Sequence, residues 1–291
     1  AWIHLMPHDV AFRSMGGPEW WQEALRARSC SSGQPVPVLW DGLRPENVDL
    51  STAAGVVAIN ASADMASLLQ SAGFRLMNRF AVLPGLHDAR LYVPLSSRST
   101  TAAAFQLHKP YRLASRAKLG VVRLAASMGV PIWKRDSILL ARRSFSPVEE
   151  ILARTLPGQH FDVAISSGTP GAFRKITMQV IARNSGKTLA YLRLATTSLA
   201  REALHNEAAR LDQLQLDSKL ASHCPTKLAE WNDDRLLALV TPAGPTRRGP
   251  QAFGRAHLEF LQLLTKISSN VGVFRESPFL QHSRRLLENL E

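Results

Sequence analysis

The chain has 291 residues, of which 45% are hydrophobic and 20% charged, and its formal net charge is +12. This composition is typical of a folded protein with one large core or two smaller ones, and it excludes a wholly disordered chain. The positive charge favours a partner that is anionic, such as nucleic acid, an anionic membrane or a phosphorylated ligand, and it does not choose among them.

The cysteine and hydropathy patterns indicate the cytoplasm. Cys30 and Cys224 lie far apart and share no metal-binding spacing, so neither a disulfide scaffold nor a metal site is expected. No apolar run approaches the roughly 20 residues of a membrane-spanning helix, and the start at Ala1 lacks the pattern of a secretion signal. We expect a cytoplasmic protein, with peripheral attachment at the inner face of the membrane as an alternative, and we interpret the chain as an excerpt of a longer protein.

The first 95 residues predict short strands and helices. Residues 19–25 favour a short helix, and Val38 and Trp40 alternate as in a strand, which Pro35 and Pro37 restrict to an edge strand or an extended loop. Residues 55–59 form an apolar run that suits a buried strand. Residues 63–72 have helical spacing, with Gly73 at the C-terminal end, and strands follow at 74–82 and 91–93. Strand, helix and strand in this order indicate an α/β layer.

Residues 100–147 predict a helix around Phe105, a longer helix over 111–128 and a strand over 138–141. Ser146-Pro147 begins another short helix, and we place a domain boundary near residue 147. In the longer helix, an apolar stripe at helical spacing is formed by Leu113, Ala117, Val121, Leu124 and Met128.

A basic stretch overlaps this helix and contains a single acid, Asp136. Its cations are Lys109, Arg112, Arg116, Lys118, Arg123, Lys134, Arg135, Arg142 and Arg143. The stretch is either a solvated helix face or a surface that docks on anionic membrane or nucleic acid. Nucleic acid is the least favoured partner, because motifs that read RNA or DNA are not evident.

The segment from residue 161 to 194 predicts three successive strands. The first runs over 161–166, and a turn of small residues, 166–172, leads into a strand in which Ile176, Met178 and Val180 alternate with polar residues. Such a turn lets backbone N–H groups approach phosphate oxygens, although an ordinary hairpin has the same pattern. Gly186-Lys187-Thr188 lacks the upstream glycine and the following helix of a P-loop, so we interpret 184–187 as a second hairpin turn.

A helix over 198–216, a hairpin and a Pro/Gly-rich hinge follow these strands. Glu207 lies beside the apolar stripe of the helix, at a distance along the chain that suits an ion pair with Arg193 on the preceding strand. A solvated glutamate and a strand arginine that extends to solvent are the plainer alternatives. Strands at 227–231 and 235–241 then lead to the hinge at 242–245, and an amphipathic helix covers 251–267 with Phe253, His257, Phe260, Leu261 and Leu264 predicted to face inward.

Residues 160–267 together resemble the N-lobe and first C-lobe helix of the aminoglycoside phosphotransferase group of kinase-like proteins. The resemblance rests on Gly168-Thr169-Pro170-Gly171, Lys175-Ile176-Thr177, Tyr191-Leu192-Arg193, Asn206-Glu207-Ala208 and Leu239-Val240-Thr241-Pro242. It implies an ATP- and Mg-dependent transfer of phosphate to a hydroxyl of a small-molecule substrate. The cofactor-binding residues that it implies are Ser167, Gly168, Thr169, Gly171, Arg193, Glu207, Thr241 and Ala243.

Two departures qualify this resemblance. Arg193 stands where the family has lysine, and a planar guanidinium need not reach the same oxygens. After residue 245 the chain has no Asp, so neither the family's catalytic acidic loop nor its metal-binding Asp is found, and the catalytic residues are left unassigned. Whether the chain is an enzyme therefore stays open. The alternative is a non-catalytic kinase-like module that docks on an anionic membrane or polymer through its basic face.

The expected fold is α+β. An N-terminal α/β accessory domain, 1–147, precedes a kinase-like domain, 148–291, made of an antiparallel sheet with a helix and a truncated helical C-lobe. A weaker resemblance to class I methyltransferases covers 55–95. It is carried by the run from Leu68 to Arg75 and by Leu83-Pro84, and it implies no cofactor because a glycine-rich cofactor turn is not found.

Overall fold

The computed structural model describes residues 38–40, 55–86, 89–108, 113–130, 136–168, 171–233, 236–244 and 253–267. The helix predicted at 19–25 lies outside these residues. The chain divides into two compact units, the first formed by 1–212 and 226–244 and the second by 213–225 and 245–291.

The described strands of the first unit form one sheet. They are β1 Val38–Trp40, β2 Gly55–Ile59, β3 Leu76–Leu83, β4 Leu91–Pro94, β5 Ser137–Arg142, β6 Phe161–Ser166, β7 Ile176–Ala182, β8 Thr188–Ala195, β9 Ala229–Asn232 and β10 Leu237–Pro242. Their order is β1-β2-β5-β3-β4-β6-β7-β8-β10-β9. The β1–β2 pair is parallel and the other pairs are antiparallel. An α+β fold with an antiparallel sheet is thus confirmed, and β1 lies at an edge, which is one of the two alternatives that its prolines predicted.

Helices connect and cover these strands. They are α1 Ala63–Ser71, α2 Arg98–Ala104 with a 3-10 turn at Phe105–Leu107, α3 Leu113–Met128, α4 Pro147–Thr155, α5 Ser198–Leu216, α6 Ser218–Ala221 and α7 Arg255–Ile267. By the alternation of side chains along the strands, α1, α2 and α3 pack on one face of the sheet and α4 packs on the other.

Local sequence signals account for several helix boundaries. The Ser62 hydroxyl accepts a hydrogen bond from the amide of Met65 and so begins α1. Gly73 follows α1 with a φ of +89°, a value that an L side chain rarely adopts. The start of α4 carries a capping box in which Ser146 and Glu149 exchange side-chain and backbone hydrogen bonds.

The sheet is continuous across position 147, where the sequence predicts a domain boundary. Strand β4 precedes that position and pairs with β6 beyond it, with Leu91 opposite Ser166 and Tyr92 opposite Ile165. The two predicted halves are therefore joined by backbone hydrogen bonds within the first unit.

The predicted apolar stripe of α3 is on its outward side. Val121, Leu124 and Met128 are 68%, 60% and 58% exposed, respectively, and Ala117 is exposed as well. The inward side consists of Leu119, Val122 and Ala126, which pack against α2 and the sheet. The helix is apolar on two sides, so periodicity alone could not decide which side the sheet would bury.

Arg142 is another correction, because it does not belong to a solvated basic face. It is 5% exposed, and its guanidinium donates to both carboxylate oxygens of Glu149 and to the amide oxygen of Asn78. The guanidinium of Arg143 lies 4.5 Å from the ring centroid of Phe74. These two cations of the stretch are therefore engaged within the fold.

In the second unit, α7 only partly follows its predicted inward face. Phe253 is 70% exposed and Leu261 is 45% exposed, which contradicts the prediction for both. Phe253 stacks on His257 with ring centroids 5.5 Å apart, and Phe260 meets the edge of His223 at 6.2 Å.

Candidate functional site

The candidate site lies on the part of the sheet formed by β6, β7, β8, β10 and β9. Strand β8 occupies its centre, where Arg193 is opposite Thr177 of β7 on one side and Leu239 of β10 on the other. Because directly paired residues project from the same face of a sheet, these three side chains share a face. A functional group at position 193 is therefore held by hydrogen-bonded strands on both sides.

Helix α5 brings a carboxylate to that face. Its buried residues Ala200, Leu204, Ala208 and Leu211 pack against Ala195, Leu237 and Leu239 of the sheet. Glu207 stands beside this apolar stripe, and its Oε1 forms an ion pair with a guanidinium nitrogen of Arg193. The sequence predicted this contact from the order of the strand and the helix.

Lys175 completes a cluster that the sequence did not predict. It directly precedes β7, and its Nζ lies 3.0 Å from Glu207 Oε2, so each carboxylate oxygen of Glu207 has a cationic partner. The side chains of Lys175, Arg193 and Glu207 are 27%, 23% and 32% exposed, respectively. Two cations and one anion leave the cluster, which we call the Lys-Arg-Glu cluster, with one excess positive charge.

Partial burial lowers the pKa of both cations of the cluster. Burial lowers the pKa of Lys175 below that of an ordinary lysine, and the neighbouring Arg193 guanidinium lowers this pKa further. Burial also lowers the pKa of Arg193, which starts so high that the group keeps its charge near neutral pH. An anion that approached the cluster would relieve the repulsion between the cations.

The turn between β6 and β7 lies beside this cluster. Gly168 has a φ of +71°, and a Cβ on it would lie 2.3 Å from the backbone oxygen of Lys175, so only glycine fits there. The oxygen of Ser167 accepts a hydrogen bond of 2.7 Å from Arg174 Nε. Gly171 is exposed, and Thr169 lies outside the described residues.

Ser167 is buried, and its hydroxyl and amide are hydrogen-bonded within the fold. Its exposure is 0%, its hydroxyl donates to the oxygens of Ala89 and Arg90, and its amide donates to Arg90 O at 3.0 Å. The hydroxyl and the amide of Ser167 therefore anchor the turn to the chain before β4.

Thr197 ties the turn to the start of α5. Its hydroxyl donates to Ala172 O at 2.6 Å and accepts from the amide of Ala200 at 3.3 Å. The turn is thus fixed to the N-terminal end of a 19-residue helix, where the helix dipole favours negative charge.

The predicted hinge follows β10. Thr241 is 5% exposed and pairs with Tyr191, while the amide of Ala243 donates to Leu189 O at 3.1 Å. That amide is therefore unavailable to a ligand. Because the hydrogen-bonding direction alternates along an antiparallel strand, the Pro242 carbonyl and the Gly244 amide point away from β8, and these are the hinge groups that can face a ligand.

Two side chains near the turn were missed by sequence reasoning. One is Lys175. Lys175 alternates with Thr177 along the strand, and Thr177 is opposite Arg193. The alternation is the sequence signal that could have found Lys175. The other is Phe173, which is 64% exposed two residues after Gly171 and so places an aromatic ring at the tip of the turn.

Comparison with known proteins gives no match for the chain among protein-family models, curated proteins or solved structures. Within the described ranges, no helix is long and apolar enough to cross a membrane. The same ranges contain no group of three or more His, Cys, Asp and Glu side chains suited to a metal ion.

Proposed function

We propose that the sheet from β6 to β9 and helix α5 bind the phosphates of ATP, as the nucleotide-binding lobe of a kinase-like small-molecule phosphotransferase. The observation that carries this proposal is the Lys-Arg-Glu cluster. A cation on the third strand of the lobe pairs with a glutamate of the next helix, which is the arrangement that kinases use to aim a cation at phosphates.

In this proposal, Lys175 and Arg193 donate charged hydrogen bonds to phosphate oxygens. Glu207 holds both cations in place and neutralises the charge of one of them. Its carboxylate is therefore the counterion of the site when no nucleotide is bound. The turn from Gly168 to Gly171 covers the phosphates, and its fixed attachment through Thr197 brings the α5 N-terminus to the same end. The backbone groups of Pro242 and Gly244 would meet the adenine edge, in place of the Ala243 amide.

Magnesium and the catalytic groups are not assigned to described residues. No carboxylate cluster in these ranges suits a metal ion. A hydroxyl-bearing small molecule as substrate belongs to the same proposal.

The test is a calorimetric titration of the protein with ATP in the presence and absence of magnesium. Loss of one charged hydrogen bond costs about 1.5–3 kcal/mol, so Arg193→Ala and Lys175→Ala should each raise the Kd by roughly tenfold or more. Lys187→Ala is the matched control, because Lys187 is an exposed lysine in the neighbouring hairpin turn and should leave the Kd unchanged. Equal affinity in all four proteins would contradict the proposal.

A second candidate is a non-catalytic module that docks on an anionic membrane or polymer. Arg142 cannot contribute to its basic face, because it is buried against Glu149. The observation that favours this candidate is the exposed surface of α3, which includes the cations Lys118 and Arg123.

A further inference from the structure

The outward side of α3 is an apolar stripe. Val121, Leu124 and Met128 follow one another at intervals of three and four residues, which places them on one side of a helix. They are 68%, 60% and 58% exposed, respectively. Val130, just past the helix, is 49% exposed. Large apolar side chains that are adjacent and exposed mark a surface for interaction, whereas isolated ones do not.

The stripe is not needed for the core. Leu119, Val122 and Ala126 already pack the opposite side of α3 against α2 and the sheet. Polar residues at 121, 124 and 128 would therefore cost the fold little, and their apolar character calls for another explanation.

The charges around the stripe are of one sign. At about 100° per residue, Lys118 and Arg123 lie on opposite sides of the stripe, and both are exposed. Helix α3 contains no Asp or Glu. In the sequence, residues 89–135 contain nine Lys and Arg and no acidic residue. A partner for this surface must therefore be both apolar and anionic.

We propose that α3 docks on an anionic membrane, with the Val121, Leu124 and Met128 side chains in the interface and Lys118 and Arg123 against lipid headgroups. A helix that is held to the sheet by its inner side presents an outward ridge, and a ridge can enter a lipid interface along its length. A peptide partner, in contrast, is usually held in a groove. The attachment is peripheral and does not require nucleotide.

The test is sedimentation of the protein with phosphatidylcholine vesicles that contain about one third phosphatidylglycerol, compared with pure phosphatidylcholine. The wild-type protein should sediment with the anionic vesicles only, and less so at high salt. The triple change Val121→Gln, Leu124→Gln and Met128→Gln should lower the partition coefficient by about tenfold or more. Leu216→Gln is the control, because Leu216 is 88% exposed on another helix and should have no effect.

A second variant protects the test against a folding defect. Lys118→Gln with Arg123→Gln leaves the apolar stripe intact and should also reduce binding by about tenfold or more, since each basic residue near an anionic surface contributes about fivefold. Circular dichroism should show both variants folded. Three results would overturn the proposal. They are equal binding to both vesicle types, unchanged binding by both variants, and a wild-type protein that does not bind vesicles but self-associates in a way that the triple variant abolishes.

Discussion

Removing the Glu207 carboxylate should destabilise the protein, because Lys175 and Arg193 would then face each other without a counterion. The three side chains are between 23% and 32% exposed, so they lie between a surface ion pair and a buried one. Exposed pairs contribute at most about 1 kcal/mol, and losing one partner of a buried pair costs about 3–5 kcal/mol. We expect Glu207→Gln to lower the free energy of unfolding by about 1–3 kcal/mol.

Urea unfolding followed by circular dichroism measures this loss. Glu202→Gln on the same helix is the matched control, because Glu202 is exposed and its change should stay within about 0.5 kcal/mol. Adding Lys175→Met to Glu207→Gln should recover part of the loss, since one of the two repelling cations is then gone. The reasoning is refuted if Glu207→Gln is no more destabilising than Glu202→Gln, or if the second substitution makes the loss larger.

Three further outcomes follow from the structure. Because Lys175 binds phosphate only when protonated and its pKa is lowered, ATP affinity should fall with rising pH before an ordinary lysine titrates; calorimetry over a pH series should show this fall, and Lys175→Arg should remove it. Gly168→Ala should lower the free energy of unfolding in urea by about 1–3 kcal/mol, because Gly168 has a positive φ and lies close to the Lys175 oxygen. Gly120→Ala in α3, where a Cβ meets nothing within 4 Å, should raise it by up to about 1 kcal/mol. The opposite order of stabilities would contradict the backbone geometry. Glu149→Gln should lower the free energy of unfolding, measured by thermal denaturation, by about 3 kcal/mol or more, because it leaves the buried Arg142 guanidinium without its counterion. An unchanged free energy of unfolding would show that this pair is not buried in solution.

The strands and helices were largely predictable, because their signals are local. Helix α5 begins and ends at the predicted residues, and β2 and β6 have the predicted bounds. Strand alternation, turn glycines and helix caps are written within a few residues of the elements that they specify. The ion pair of Arg193 and Glu207 was predictable for a related reason, since a strand followed directly by a packed helix restricts how far apart the two side chains can lie.

Lys175 was missed because of a β-bulge. The β7–β8 register shifts between Val180 and Ile181, and Thr177 rather than Ile176 is opposite Arg193 as a result. Without this shift, Ile176 would be opposite Arg193, and Lys175 would project from the other face of the sheet, since a shift of one residue exchanges the faces of a strand. Strand alternation indicates that Lys175 shares the polar face of β7 with Thr177, but the register that places Thr177 opposite Arg193 was found in the structure.

The outward position of the apolar stripe of α3 was not predictable for a different reason. Both sides of the helix are apolar, and packing against α2 and the sheet buries the side that carries Leu119, Val122 and Ala126. Packing between elements also buries Gln179, on the polar side of β7, at 0% exposure, since its amide donates to Ala103 O of α2. Packing between elements that are distant in sequence decides both positions.

The most direct measurement of the central claim uses ATP that carries an acyl group on its terminal phosphate. A lysine amine near the bound phosphates attacks the acyl carbonyl, an amide forms and ATP leaves, and peptide mass spectrometry identifies the acylated lysine. We predict acylation at Lys175 that excess ATP prevents, with little at the exposed Lys187. Acylation that is equal at Lys175, Lys187 and Lys118 and insensitive to ATP would contradict a phosphate-binding role for the Lys-Arg-Glu cluster.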